Sequence, residues 1–92
     1  MDILHADDGK KGKFYIELEG NIEAEMTYVW AGPTKFIIDH TEASDKLKGM
    51  QAGKQLLQKA VAFAREKNVK IMPLCPFAHA IFQKTPEYQD LL

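Results

Sequence analysis

The chain of 92 residues has little of several residue types, and each shortage excludes a class of protein. Its single cysteine, Cys75, cannot form an internal disulfide, which favours a reducing compartment or a thiol kept for chemistry. No apolar run approaches the roughly 18 residues that a membrane span needs, and residues 1–13 lack the apolar core of a signal peptide. We therefore expect a soluble cytoplasmic protein. A single arginine and a pI near 6.3 disfavour nucleic acid as a partner.

The charges are unevenly distributed along a chain of otherwise ordinary globular composition. The length predicts one domain over residues 1–92, with residues 1–12 as a loosely ordered lead-in. The formal net charge is only −1, but residues 1–45 sum to −6 and residues 46–92 sum to +5. A split of this kind indicates a charged partner, and a polyanion would fit the second half.

Hydrophobic periodicity predicts a mixed α/β fold with the element order β-β-β-α-β-α. Alternating apolar residues indicate strands over residues 13–18 and 23–30, and a β-branched run indicates a third, central strand over residues 35–40. The helical spacing of Leu56, Leu57, Ala60, Val61 and Ala64 predicts a helix from Gly53 to Asn68. A fourth strand over residues 69–74 and a second helix from Pro76 follow. The first three strands form an antiparallel meander, and the fourth lies parallel to the third by a right-handed crossover.

The junction between the third strand and the first helix is a candidate anion site. A glycine-bearing loop lets backbone amides approach a phosphate, and a helix N-terminus carries partial positive charge. Residues 46–54 add three lysines and two glycines, although they match neither a Walker loop nor G-x-G-x-x-G. An ordinary flexible loop with a solvated basic face remains the alternative.

Four short motifs together resemble one known family. They read D-H-T-E-A at 39–43, L-K-G-M-Q-A-G-K at 47–54, P-L-C-P-F at 73–77 and P-E-Y at 86–88. In this order and spacing, residues 14–91 are similar to the small single-domain GNAT-type N-acetyltransferase-like proteins. The resemblance implies a compact GNAT-like fold and transfer of an acetyl group from acetyl-CoA to an amine. The amine is that of a small molecule, a polyamine or a protein.

The same resemblance implies where acetyl-CoA binds. Its pantetheine arm is expected to run beside Thr41, Glu42 and Ala43 into the gap between the third and fourth strands. Its pyrophosphate is expected on the backbone of Lys48, Gly49, Met50, Gln51, Ala52, Gly53 and Lys54. No metal is expected, because a zinc site built from the three histidines and Cys75 has only one loosely spaced pair, Cys75-x3-His79.

Three positions depart from the pattern of the family. Lys48 replaces the glutamine or arginine of the family, and Gln51 replaces its first glycine. Phe82 occupies the position of the tyrosine that larger GNAT enzymes use to protonate the leaving thiolate. The elements that clasp an acceptor in larger enzymes are also missing. These departures leave open the alternative of a catalytically weak module that binds CoA or a protein partner. Exposed sheet edges leave a homodimer open as well.

Cys75 and His40 are the candidate catalytic residues. Cys75 closes the fourth strand at a predicted helix N-terminus, which stabilises a thiolate, so it either accepts the acetyl group or lines the site. A buried cysteine that acts as a small hydrophobe is the alternative. His40 ends the third strand, where an imidazole is suited to take the proton of the amine; a histidine satisfied by the backbone is the alternative. Glu42 is a second candidate base, and Asp39 is expected on the opposite face from His40.

Overall fold

The computed structural model describes residues 2–92 and shows a five-stranded sheet with two α-helices. The strands lie in chain order, and every neighbouring pair is antiparallel except the last, which is parallel. This arrangement confirms the predicted mixed α/β fold with a meander and one parallel crossover. The elements are β1 Leu4–Asp7, β2 Lys11–Leu18, β3 Asn21–Trp30, β4 Lys35–Ala43, α1 Ala52–Lys67, β5 Lys70–Pro73 and α2 Pro76–Gln83, with short 3-10 helices at Asp45–Leu47 and Pro86–Leu91.

The hydrophobic core lies on one face of the sheet, here called the helix face. Every second residue of β2 and β3 points into it, so that Phe14, Met26 and Tyr28 are almost fully buried. The apolar stripe of α1 that the sequence predicted, residues 56–64, covers these side chains. The other face, here called the open face, carries half-buried residues such as Lys13 and Thr27. The fold therefore presents one side of its sheet to the surroundings.

Both helices have the termini that the sequence predicted. Asn68 ends α1 in the left-handed conformation with φ 57°, and its N–H donates back to the carbonyl oxygens of Ala64 and Arg65. Cys75 is the N-cap residue of α2, and Pro76 follows at the first helical position. The second cap places the only cysteine at the junction between β5 and α2.

Two predictions about irregular segments are wrong. Residues 4–7 are not a loose lead-in, because they form β1 and pair with residues 12–15 of β2. The third strand does not end at residue 40, because β4 extends to Ala43 opposite Ala24 of β3. In both cases the partner strand supplies the backbone hydrogen bonds, and such long-range pairing leaves no periodic signal in a short polar segment.

β1 is held to the sheet by side chains that reach across β2. The Tyr28 hydroxyl donates to Asp7 Oδ2 at 2.5 Å, and Trp30 Nε1 donates to the same oxygen at 2.8 Å. His5 Nε2 lies 2.6 Å from the Tyr28 oxygen and must be the donor, because the tyrosine proton is already used. Gly12 of β2 lies beneath the Tyr28 side chain, and a Cβ at this position would lie 2.5 Å from the Tyr28 ring. Because Gly12 has no side chain, the Tyr28 side chain can cross β2 and reach β1.

This cluster predicts that the fold loses stability in acid. Burial raises the pKa of Asp7, but hydrogen bonds from Tyr28, Trp30 and the backbone of Gly9 outweigh it and hold the pKa below its usual value. Burial lowers the pKa of His5, and the nearby Asp7 only partly offsets this effect. Both folded pKa values are depressed, so stability falls as the pH drops below about 6.5 for His5 and again below about 4 for Asp7.

Asp7→Asn is expected to lose about 1–2 kcal/mol of unfolding free energy at pH 7, because its hydrogen bonds are no longer assisted by charge. At pH 3 the variant and the parent should differ less, because the unfolded parent then binds a proton at Asp7 and the stabilisation by this carboxylate is reduced. Urea unfolding at pH 7 and pH 3 measures both values. An equal acid sensitivity of the two proteins would contradict the role given to Asp7.

Candidate active site

The site is built around a gap between the two parallel strands. β5 pairs with β4 only over residues 35–38, and the N–H groups of Leu74 and Cys75 then both donate to the carbonyl oxygen of Ile38 at 3.0 Å. The chain turns away into α2, while β4 continues to Ala43. Within residues 2–92, no strand pairs with residues 39–43 on this side. We call this gap the splay; its strand carries exposed polar backbone that an extended ligand can pair with.

Cys75 lies at the closed end of the splay, on the helix face. Its sulfur accepts from the N–H of Ala78 at 3.4 Å, as a capping side chain does. The hydroxyl oxygen of Thr41, on β4, lies 3.3 Å from the same sulfur. The residue is 5% exposed, so the thiol is reached through the splay or by a small local opening. The structure thus brings together two of the residues that the sequence singled out, Thr41 and Cys75.

His40 lies on the open face, away from Cys75. It pairs with Thr27 of β3, and its Nε2 atom is 3.4 Å from Glu42 Oε2. The register shifts between Thr27 and Tyr28, so β4 has one extra residue there, Asp39. The expectation that Asp39 points away from His40 is therefore wrong, because the carboxylate accepts from the Thr27 hydroxyl at 2.6 Å on the same face. The two candidate catalytic side chains lie on opposite faces of β4.

The loop before α1 presents unpaired backbone amides. Gly49 has φ 82° and Gln51 has φ 54°, so two residues in the left-handed region turn the chain into the helix. The first helical hydrogen bond runs from the Gln55 N–H to the Gln51 carbonyl at 3.0 Å, and no side chain of the described residues caps this end. The amides of residues 52–54 remain available to an anion. Gln51 adopts the conformation expected of glycine, with its side chain exposed.

The packing of α1 against α2 also requires glycine at position 53. A Cβ at this position would lie 2.7 Å from the Phe77 ring of α2, so the missing side chain lets the two helix N-termini approach each other. Beside this contact lies a groove of about 510 Å³. Its lining residues are Gln51, Gly53, Lys54, Phe77, Ala80, Ile81, Lys84 and Thr85. Phe77 belongs to one of the four sequence motifs, whereas Ile81 and Lys84 lie outside them and were not predicted as site residues.

The lysines of the loop have different environments. Lys46 lies 3.3 Å from Glu23, so its charge is already paired. Lys48 and Lys54 are exposed and make no ion pair with any described residue. Together with Lys84 at the far side of the groove, they surround the free amides with positive charge. This end of the molecule accounts for much of the positive second half of the sequence and suits a polyanionic ligand.

A family model for the GCN5-related N-acetyltransferases matches residues 13–91, almost the whole chain. The chain belongs to the GCN5-related N-acetyltransferase family. Members of this family use acetyl-CoA as cosubstrate, and membership makes the chain an N-acetyltransferase. The resemblance carried by the four motifs is thereby confirmed. The splay and the amides of α1 are the features of this GCN5-related fold that an extended, phosphate-bearing ligand can use.

Relatives of known structure and sequence support the assignment. A GCN5-like protein from Staphylococcus aureus, solved by NMR, is 41% identical with a TM-score of 0.76, over 98% of this chain and 85% of that one. Protein NATD1 of Danio rerio is 27% identical over 85 residues, which cover 91% of this chain and 77% of the relative. A predicted acetyltransferase from Clostridium acetobutylicum, solved with acetyl-CoA, shares the fold at 18% identity and a TM-score of 0.66, over 84% of this chain and 57% of that one.

Phe82 belongs to the hydrophobic core. Phe82 is 1% exposed and packs against the Tyr88 ring, with 5.3 Å between ring centroids, so this position supplies core packing and no hydroxyl.

Among residues 2–92, no three His, Cys, Asp or Glu side chains are grouped to hold a metal ion. No helix in the same residues has the length and apolar character to span a bilayer.

Proposed function

We propose that this acetyltransferase transfers the acetyl group of acetyl-CoA to an amine by way of Cys75. The observation that carries the proposal is the position of the only thiol, at the closed end of the splay and at the start of α2, the helix whose Phe77 ring packs against Gly53 of α1. The pyrophosphate would bind the amides of residues 52–54, with Lys48 and Lys54 adding charge. The arm would follow residues 41–43 toward Cys75.

The proposed chemistry balances without an aromatic acid at position 82. The Cys75 sulfur attacks the thioester carbonyl, so that a carbon–sulfur bond to Cys75 forms and the bond to CoA breaks. The CoA thiolate takes the proton that the Cys75 thiol gives up. The amine then attacks the acetyl group on Cys75, its proton passes to a base, and the thiol is restored.

His40 is the proposed base for the second step. Its imidazole is exposed on the open face, and its Nε2 atom lies 3.4 Å from Glu42 Oε2. The amine would therefore enter the splay from the open face and reach the acetyl group on Cys75 through this gap. A lone reduced thiol with this role fits the cytoplasm as the proposed location.

A second candidate function rests on Phe82. Because this position supplies core packing in place of an acid for the leaving thiolate, the alternative is a catalytically weak module that binds acetyl-CoA. The two functions differ in one observable. Both require binding of acetyl-CoA, and only the first leaves an acetyl group on Cys75.

Charge reversal near the N-terminus of α1 tests the binding part of the proposal. Lys48→Glu and Lys54→Glu are each expected to weaken acetyl-CoA binding by about tenfold, because each places a carboxylate beside the phosphates. The loss should shrink at high salt, since these charges are exposed. Calorimetric titration at two salt concentrations measures both effects.

Lys59→Glu is the matched control, because it makes the same charge change at an exposed position of the same helix, away from the residues that line the groove. It should bind acetyl-CoA within about twofold of the parent, since long-range charge effects are screened. If all three variants lose affinity equally, the groove is not the phosphate site.

A further inference from the structure

We propose that Thr41 is a positioning residue for Cys75, and that its hydroxyl acts on the sulfur. This inference rests on the proposed function, and it gives a second role to a residue expected to lie beside the cofactor. The geometry that carries it is the 3.3 Å contact between Thr41 Oγ1 and Cys75 Sγ, which spans the closed end of the splay. It joins residues 34 positions apart on β4 and at the start of α2.

A hydroxyl suits this task in a way that other side chains do not. A hydroxyl both donates and accepts, so it accepts from the thiol S–H and, after rotation, donates to a thiolate. The N–H of Ala78, 3.4 Å from the sulfur, donates in both states. A sulfur held from β4 on one side and from α2 on the other has a fixed place at the end of the gap. When the Cys75 thiol loses its proton, the sulfur would keep both of its hydrogen-bond partners, Thr41 and Ala78.

Thr41 is the residue on β4 that can reach the sulfur. Its neighbours His40 and Glu42 point to the open face, as their mutual 3.4 Å contact shows. Thr41 itself is opposite Met26, whose side chain is fully buried on the helix face. The register of β4 therefore directs this hydroxyl toward α2. The extra residue at Asp39 sets that register, because the shift it introduces precedes Thr41.

The test follows the ionisation of the thiol in the whole chain by NMR. Cysteine labelled with 13C at Cβ gives one resonance, because the sequence has one cysteine. In Thr41→Val, which keeps the shape and removes the hydroxyl, the midpoint of the pH titration should rise by about one unit, because a donor to the thiolate is lost. Thr41→Ser, which keeps the hydroxyl, should restore the midpoint. Thr41→Ala serves as a second variant without a hydroxyl should the valine disturb the fold.

Each outcome decides the matter. A midpoint that rises in the valine or alanine variant and returns in the serine variant supports the proposal. An unchanged midpoint in a folded variant without the hydroxyl overturns it, even where acetyl-CoA binds more weakly, because Thr41 would then contact only the ligand. The titration needs no acetyl-CoA, so a parent protein that failed to bind acetyl-CoA would defeat the proposed function and leave this result standing.

Discussion

Incubation with acetyl-CoA is expected to leave one acetyl group on the parent chain and none on Cys75→Ala. The sequence has no other thiol, and this one lies 3.3 Å from Thr41 at the closed end of the splay. Removal of a nucleophile commonly costs a hundredfold or more in rate, so release of free CoA should fall by about that factor. Intact-mass spectrometry of the protein detects the adduct, and a thiol reagent measures the CoA released.

The parent protein and the variant must bind acetyl-CoA to a similar extent for this comparison to be fair. Because Cys75 is small and 5% exposed, alanine is expected to keep the fold at a modest cost. Hydroxylamine, which cleaves thioesters, should remove the adduct, whereas an acetylated lysine would persist. A persistent adduct, or one present in Cys75→Ala, would mean that the acetyl group goes elsewhere. Binding without any adduct would favour the second candidate function.

Gly12→Ala is expected to destabilise the fold by about 3 kcal/mol or more. An added Cβ would lie 2.5 Å from the Tyr28 ring and 2.6 Å from the carbonyl oxygen of Ala6, so two strands have to move. The movement would break the hydrogen bond from Tyr28 to Asp7 that holds β1. Urea unfolding measures the loss, and hydrogen exchange should show the amides of β1 exposed first.

Gly20→Ala is the matched control, because it adds the same methyl group where nothing lies within 4 Å. Its cost should be about 1 kcal/mol, which comes only from a backbone φ of 83° that disfavours a side chain. A loss at Gly12 no larger than the loss at Gly20 would show that β2 and Tyr28 adjust freely. The account of how β1 is attached would then be wrong.

The fold was predictable wherever periodicity spans a whole element. The apolar stripe over residues 56–64 predicted α1, and the alternation of apolar and polar residues predicted β2 and β3, because each pattern matches a buried face. β1 was missed because its contacts, such as that from His5 to Tyr28, join positions 23 apart in a segment of mixed polarity. The extension of β4 was missed for a related reason, since its pairing partner lies on β3 and not in its own sequence.

Two features of the candidate site were predictable from the sequence, and the way its residues come together was not. Capping chemistry placed Cys75 at the start of α2, and the free amides before α1 followed from the loop. The extra residue at Asp39 changes which side chains share a face, and a bulge has no reliable signal in one sequence. The Phe77 ring against Gly53 depends on how two helices approach each other, which spacing along the chain does not specify.

Titration of the 15N-labelled protein with acetyl-CoA, followed by the backbone amide spectrum, tests the central claim most directly. The account predicts saturable shifts concentrated at residues 41–43, at residues 51–54 and around Cys75. Amides of the distant cluster around Asp7 and Trp30 should stay in place. An unchanged spectrum at millimolar acetyl-CoA, or shifts centred on that distant cluster, would contradict the placement of acetyl-CoA between the splay and the N-terminus of α1.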